Sequence, residues 1–503
     1  MDRAEKKRLD RYITIPSLLI LLGICLSFLF LNMRDNTLLS VIFEAITGTF
    51  GGVYHLYIVF LLGIIAYLSF SKIGSIRLGE GPPQYSTFIW VSMLFCACIG
   101  SGILYWGLIE WAYYMISPPF NMAPLSAQAA EIAVSYTLFH WGFSGWATYS
   151  VAAIIIAFYY FTRKIPNLRI SVACGFTREN GKEALGKAVD VFIIIGLSAG
   201  VAVSIALGTP MIAAGLERLF GIKNGIQSNI FIAVFWACLF GASAISGIDR
   251  GIKVLSNVNT VIALAFIFYV FIAGASAFIG NNLINSVGLM LHNYLYMSFY
   301  TDPVGKSGFP QGWTIFYWGW WLSYVPVMGL FIAKISRGRT IRQVALSGTI
   351  LGSLGCWLFL SILGGYGLDL QLTGKQDTVA VLKNSGDYAA ILGLLETLPF
   401  SSLVILAFML VAFIFLATTC DSSAYILASI STRDITGSED PSKRSRLLWS
   451  AALIVWPVVL MAVGGLNAVK LCSTLGSIPI LFILLVMIRN FMRDAHAFVK
   501  NKS

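Results

Sequence analysis

The segment FYWGWWLSYVP, residues 316–326, places two adjacent tryptophans, Trp320 and Trp321, inside a stretch that carries no charge from Trp313 to Ala333. Leucine faces lipid equally well, so this much flat π surface calls for another use. Trp320 and Trp321 lie seven and eight residues beyond Trp313, roughly 10–12 Å deeper at 1.5 Å per helical residue. Interfacial belts of Trp and Tyr account for indoles near the membrane surface. They fit Trp111, Tyr113, Tyr114 and Trp313, but fit the deeper pair less well. Two further aromatic groups stand on apolar runs: Trp106, Trp111, Tyr113 and Tyr114 around Glu110, and His140-Trp141 followed by Trp146 and Tyr149. At helical spacing Trp146 and Tyr149 are neighbours, as are Trp320 and Tyr324. A quaternary ammonium has no N–H to donate, so hydrogen bonding cannot select it. Facing rings can, at about 0.5–2 kcal/mol each. A box of tryptophans from two or three helices would hold trimethylammonium without a carboxylate. Glu110 and Asp421 are the acids that fall within or at the rim of apolar runs, and both are candidates for function or for structural hydrogen bonding.

Positioning such a box requires helices that cross a membrane. The 503 residues are 57% hydrophobic and 11% charged, with a mean hydropathy of +0.80, where a soluble chain carries about 25% charge. Apolar runs near 20 residues recur, long enough for ~30 Å of hydrocarbon and too long for barrel strands. The reading is an all-α polytopic membrane protein with twelve spans, at 13–32, 55–71, 87–108, 133–160, 188–209, 229–247, 254–279, 313–334, 342–366, 400–431, 447–465 and 473–491. The basic start leads into a run long enough to span, with no small-residue cleavage site after it, so no cleaved signal peptide is expected. The net charge of +11 does not indicate nucleic acid. With the N-terminus inside, 27 of the 34 basic residues fall on the inner side, which places both termini in the cytoplasm. Lys470 counts among the outer-loop residues in this scheme.

Eight cysteines, none in a CxxC pair, and four scattered histidines give no metal signature. Gly181-to-Lys187, GKEALGK, fits the first seven places of a phosphate-binding loop, but Ala188 follows and no strand precedes. It is better read as a loop entering span five.

The spans group as two peripheral helices (13–71) between a short N-terminal arm (1–12) and five spans (87–279). An amphipathic segment (281–299), too polar to cross, then precedes five more spans (313–491) and a tail (492–503). An odd-numbered repeat must be inverted, and carriers built so bind substrate near the midplane on the broken first helix of each half. Span three contains Gly100-Ser101-Gly102, and span eight carries Gly319, Pro326 and Gly329. Unwinding is cheap there. Glycine also serves close helix packing.

The run FPQGWTIFYWGWW (309–321), with ISRGRTIR (335–342) after it, resembles the signature of the betaine/carnitine/choline transporter family. Arg77-Leu78-Gly79 with Glu80 and Pro82-Pro83, and Phe139-His140-Trp141-Gly142, extend the resemblance over nearly the whole chain. The resemblance implies a homotrimer in the cell membrane, LeuT-like inverted five-helix repeats, and an aromatic box for trimethylammonium substrates. The central box would be Tyr113, Trp141, Trp320 and Trp321. Trp146, Tyr149 and Tyr324 match aromatics on the substrate path, and Trp313 matches a tryptophan at an outer or regulatory site. Glu110 matches a glutamate that holds the core together.

For coupling, the resemblance implies one sodium site between span-three backbone at Ile99 and the side of span ten bearing Phe415, Thr418 and Thr419, with Gly100, Gly102, Glu110 and Asn259 as structural or coupling residues. Two hydroxyls beside free carbonyls suit a hard cation. Exchange carriers of the family use an arginine on span seven, whose place Asn259 takes here. The second sodium site is degraded, with Leu197, Val201 and Val327 at its positions. Met328 matches the methionine whose sulfur stands in for sodium in exchangers. The sequence therefore points to sodium-coupled uptake of a trimethylammonium zwitterion such as glycine betaine or carnitine, with sodium-independent substrate/product exchange as the alternative. Beyond sodium and membrane lipid, no cofactor, transition metal or nucleic acid is expected. A channel lacks its filter and an enzyme lacks a catalytic cluster. The short tails predict no osmosensing.

Overall fold

The computed structural model of the chain describes residues 9–34, 37–97, 100–165, 169–177, 179–246, 249–433, 439–463 and 466–501, and among them there is no strand beyond isolated bridges. Helices α1 (Arg11–Arg34) and α2 (Leu38–Phe70) come first, followed by α3 (Thr87–Cys96), α4 (Ser101–Ile116), α5 (Ala127–His140), α6 (Phe143–Ala157) and the single turn α7 (Ile170–Ala173). Next are α8 (Glu183–Phe220), α9 (Ile226–Ser246), α10 (Asp249–Ala273) and α11 (Ser276–Phe299). The remainder comprises α12 (Ile315–Ser323), α13 (Val325–Ile335), α14 (Ile341–Leu372), α15 (Thr378–Ser385), α16 (Asp387–Glu396), α17 (Ser401–Ile430), α18 (Lys443–Val463) and α19 (Leu466–Lys500). Every expected span falls on one of these helices or on a consecutive pair. Among the described residues eight helices are long and apolar enough to cross by themselves, or eleven when each sharply bent pair counts as one, and Ile226–Leu239 is a shorter apolar helix. This is a polytopic all-helical membrane protein.

Boundaries follow local chemistry. Ser126 caps α5 by accepting from Ala129 N–H at 3.1 Å, Thr340 and Gln343 form a reciprocal box at the start of α14, and Asp377 caps α15. α8 begins at Glu183, so the GKEALGK segment leads from the turn at Gly181 through the cap at Lys182 into its first turn, where Lys187 pairs with Glu183 at 2.8 Å. α11 turns 110° away from α10 and starts five residues earlier than the expected amphipathic segment. Lys470 is corrected from an outer loop to the first turns of α19, where it is buried.

Three breaks shape the interior. α3 and α4 are bent by 56°, and α12 and α13 by 54°. At the second break Tyr324 N–H bonds to the carbonyls of Trp320 and Trp321 at 3.3 and 3.2 Å, and Pro326, with no N–H, cannot continue the ladder. The third is a local interruption inside the expected span 133–160, which the structure keeps as one span, Ala127–Thr162. Between α5 and α6, Gly142 takes φ −101° and ψ −146°, outside helical space. The carbonyls of Leu138 and His140 are thereby released to accept indole N–H groups, from Trp357 at 2.8 Å and Trp321 at 3.0 Å.

The loops before α3 and after α13 are stitched together. Leu78 N–H donates to Arg339 O (2.8 Å), Gly338 N–H to Leu78 O (2.7 Å) and Ile341 N–H to Ile76 O (2.9 Å). Arg339 lies 4.6 Å from the Trp90 ring centroid and donates to Tyr85 O at 2.9 Å and Thr87 Oγ1 at 3.1 Å. The two arginine-glycine motifs of the sequence are therefore one joint. It anchors α3 and α13, so one end of each bent pair is fixed relative to the other.

Gly338 has φ +81°, and a Cβ there would sit 2.6 Å from Pro82 O and 2.7 Å from Pro83 Cα. Gly338→Ala therefore meets both a left-handed backbone and a backbone clash, worth about 1–3 kcal/mol. Thermal unfolding in detergent should show a lowered Tm. An unchanged Tm would show the joint to be more pliant than described.

Candidate functional site

Trp141 closes α5 at its break, while Trp320 and Trp321 sit on α12 just before the bend at Tyr324. These three indoles converge. Trp141 lies 5.7 Å from Trp320 and 5.9 Å from Trp321 between ring centroids, at interplanar angles of 82° and 74°. Tyr149 and Trp146 of α6 extend the group, at 4.9 and 5.8 Å from Trp321. Tyr324 stands 6.5 Å from Trp320 and shares a 2.7 Å hydrogen bond with Ser204 of α8.

All three indole N–H groups are used by the protein. Trp141 Nε1 donates to Glu110 Oε2 at 3.0 Å, Trp321 Nε1 to His140 O at 3.0 Å, and Trp320 Nε1 to Gly200 O at 3.4 Å. The rings are thus oriented by their edges, and Phe316 stacks on Trp320 at 5.7 Å with an interplanar angle of 17°. Trp141 is 8% exposed and Trp320 and Trp321 6% each, against 0–1% for Trp106 and Trp318. Trp313, at 7%, and Trp357, at 6%, keep as much surface as the box indoles.

Glycines make the approach possible. A Cβ at Gly102, beside the α3–α4 break, would lie 2.7 Å from Trp320 Cη2, and one at Gly145 would overlap the Trp321 indole. Around Gly100 there is open space. The sequence marked Gly102 for cheap unwinding; the structure adds that its missing side chain admits Trp320.

Glu110 sits behind the box, fully buried. It accepts from Tyr114 OH at 2.5 Å, Trp141 Nε1 at 3.0 Å and Tyr317 OH at 2.5 Å. His140 lies 3.7 Å away, bonded to Tyr114 OH at 2.8 Å and Thr314 Oγ1 at 3.0 Å. One carboxylate thereby ties α4, the α5–α6 break and α12. The roles of His140, Tyr114 and Tyr317 carried no signal in the sequence beyond adjacency to marked residues.

Tyr113 stands with a different group. Its ring is 5.0 Å from Trp313 and 6.3 Å from Trp106, and its hydroxyl donates to Asp387 of α16 at 2.5 Å, an oxygen pair Tyr105 also joins. No ring contact joins Tyr113 to Trp141, Trp320 or Trp321 among the described residues. Trp313 is covered by the Lys470 ammonium, 3.7 Å from its centroid. Met328 lies half-buried on α13, one turn past Tyr324, to whose carbonyl its N–H donates at 3.0 Å.

On α17, Phe415 is buried and Thr418 and Thr419 are half-buried; Thr418 Oγ1 donates to Phe415 O at 3.0 Å, which leaves its lone pairs free. Ile99, the backbone position expected opposite them, and neighbouring Cys98 lie outside the described residues. Asn259 on α10 is fully buried and donates to Val411 O on α17 at 3.1 Å. Leu197 and Val201 on α8 are fully buried and offer no hydroxyl.

Gly145→Ala should force Trp321 out of its place while leaving Glu110 and its donors intact. Its expected signature is a KM for substrate raised about tenfold or more, the loss of one ring contact, with the protein still folded by size-exclusion chromatography. An unaltered KM would mean Trp321 does not touch substrate.

Comparison with known proteins bears on the same segments. The sequence profile of the betaine/carnitine/choline family transporters matches residues 12–499. The chain is 38% identical over 435 residues to the uncharacterized transporter YeaV of Escherichia coli (strain K12), covering 86% of this chain and 90% of that one. The chain with the three-indole box is a member of the betaine/carnitine/choline family of transporters.

Proposed function

We propose that this transporter is a secondary carrier for a trimethylammonium zwitterion such as glycine betaine or carnitine, taken up with sodium. The observation that carries the reading is the Trp141–Trp320–Trp321 group, whose N–H edges are bonded to protein and whose rings converge, with Phe316 stacked behind Trp320. A hydrogen-bonding substrate would gain little there. A methylated cation gains about 0.5–2 kcal/mol from each ring, and no carboxylate is required to hold it. The substrate carboxylate would turn toward the α3–α4 break, where free backbone N–H groups at the start of α4 favour anions.

Thr418 and Thr419 support a single sodium site, and the absence of hydroxyls at Leu197 and Val201 supports the loss of a second. Sodium at α17 would favour the state open to the outside. Met328 favours the alternative of sodium-independent exchange, since a thioether there fills a place a coupling ion would otherwise take. The arrangement in the membrane goes with this reading: twelve spans with inverted five-helix repeats, both termini in the cytoplasm, and a homotrimer in the cell membrane.

The test is uptake of labelled glycine betaine, carnitine and butyrobetaine into proteoliposomes, with and without an inward sodium gradient. Sodium-driven accumulation that is lost in Thr418→Ala is expected. Uptake that needs internal betaine and ignores sodium would establish exchange instead. Trp321→Ala should weaken affinity by about 10–30-fold, or about 1.4–2 kcal/mol. Unchanged affinity in that variant would overturn the box.

A further inference from the structure

Lys470 is a buried cation that the transport reading leaves unused. It is 5% exposed, and its ammonium lies 3.7 Å from the Trp313 centroid and 5.7 Å from that of Phe316. Among the described residues no carboxylate comes within ion-pair distance of it. An ammonium removed from water without a counter-ion is costly, and a π face recovers only part of that cost. The same aromatic cluster ends at a charge of opposite sign: Trp313 packs on Tyr113, and Tyr113 donates to Asp387. Between them Trp106, fully buried, meets Trp313 edge-on at 5.6 Å, and its indole N–H has no acceptor among the described residues. A line of contacts therefore runs from an acid, across three rings, to an unpaired base, with a spare donor in the middle.

We infer that Lys470 is a specificity-determining residue, which with Asp387 selects substrates that carry a carboxylate beside their quaternary ammonium and disfavours those that carry the cation alone. Phe316 lies 5.7 Å from the Lys470 ammonium and stacks on Trp320, so a choline-like cation held in the box adds positive charge near one that has no ion-pair partner among the described residues. A zwitterion brings a carboxylate whose negative charge offsets that of Lys470. Discrimination is a difference of affinities, and here the repulsive arm supplies it. In a low-dielectric interior such a field acts over several ångströms without direct contact. The inference rests on the trimethylammonium reading and adds the charge pattern of the substrate to it.

The experiment titrates purified full-length protein with glycine betaine and with choline, following tryptophan fluorescence, and compares the two dissociation constants. The wild-type protein should favour glycine betaine. Lys470→Met should shift the ratio toward choline by about tenfold or more, chiefly by tightening choline. Lys470→Arg should keep the wild-type ratio, and Asp387→Asn should move it the opposite way from Lys470→Met. A ratio within twofold of wild type in Lys470→Met overturns the inference. If that variant does not fold, an unmoved ratio in Asp387→Asn overturns it. A wild-type protein that binds neither compound overturns the trimethylammonium reading and this inference together, whereas binding both with no effect of Lys470→Met removes this one alone.

Discussion

A single buried carboxylate governs the interior. Glu110 has no access to water, and its two oxygens take three donors from three different helices. Such a group is stable only while those donors stay in place, because each lost bond leaves a buried polar atom uncompensated. The constraint runs both ways. Tyr114, Tyr317 and Trp141 hold the acid, and the acid fixes the edge of Trp141 and so the direction of its face. Trp320 and Trp321 are fixed in the same manner by carbonyls, one of them made available by the helix break at Gly142. Broken helix is usually a cost inside a membrane. Here the carbonyls it releases are taken up by tryptophan edges.

The glycines complete this arrangement by subtraction. Gly102 and Gly145 lie where a methyl group would collide with Trp320 and Trp321, and Gly352 where one would collide with Trp146. Each large ring faces a backbone with no side chain. The indoles are packed to interior density on their outer sides, and the residual exposure of Trp141, Trp320 and Trp321 marks where packing stops.

Much of this was legible in the sequence, and the remainder has a common reason. Apolar runs of membrane length gave the helices, and Gly100, Gly102 and Pro326 marked the two bent first helices. Depth along the run singled out Trp320 and Trp321 from belt aromatics. The local interruption at Gly142 was hidden, because one glycine in an apolar run does not interrupt hydropathy, while the span itself is continuous as read. Tyr113 and Lys470 were misleading for a related reason. Tyr113 shares a helix with Glu110, but its hydroxyl turns to Asp387, 274 residues away in a short helix outside the spans. Lys470 precedes the apolar run proper, so it reads as loop, yet α19 begins before it and Trp313 receives its ammonium. Periodicity reports which residues are buried; it cannot report which distant side chain meets them.

The joint of Leu78, Gly338 and Arg339 has a mechanical consequence. Three backbone hydrogen bonds weld the starting end of one bent helix pair to the finishing end of the other. Those ends cannot part without unzipping the seam, so any relative movement of the two pairs would be hinged there. An aperture between them would widen away from the joint, toward the end of α4 and the start of α12.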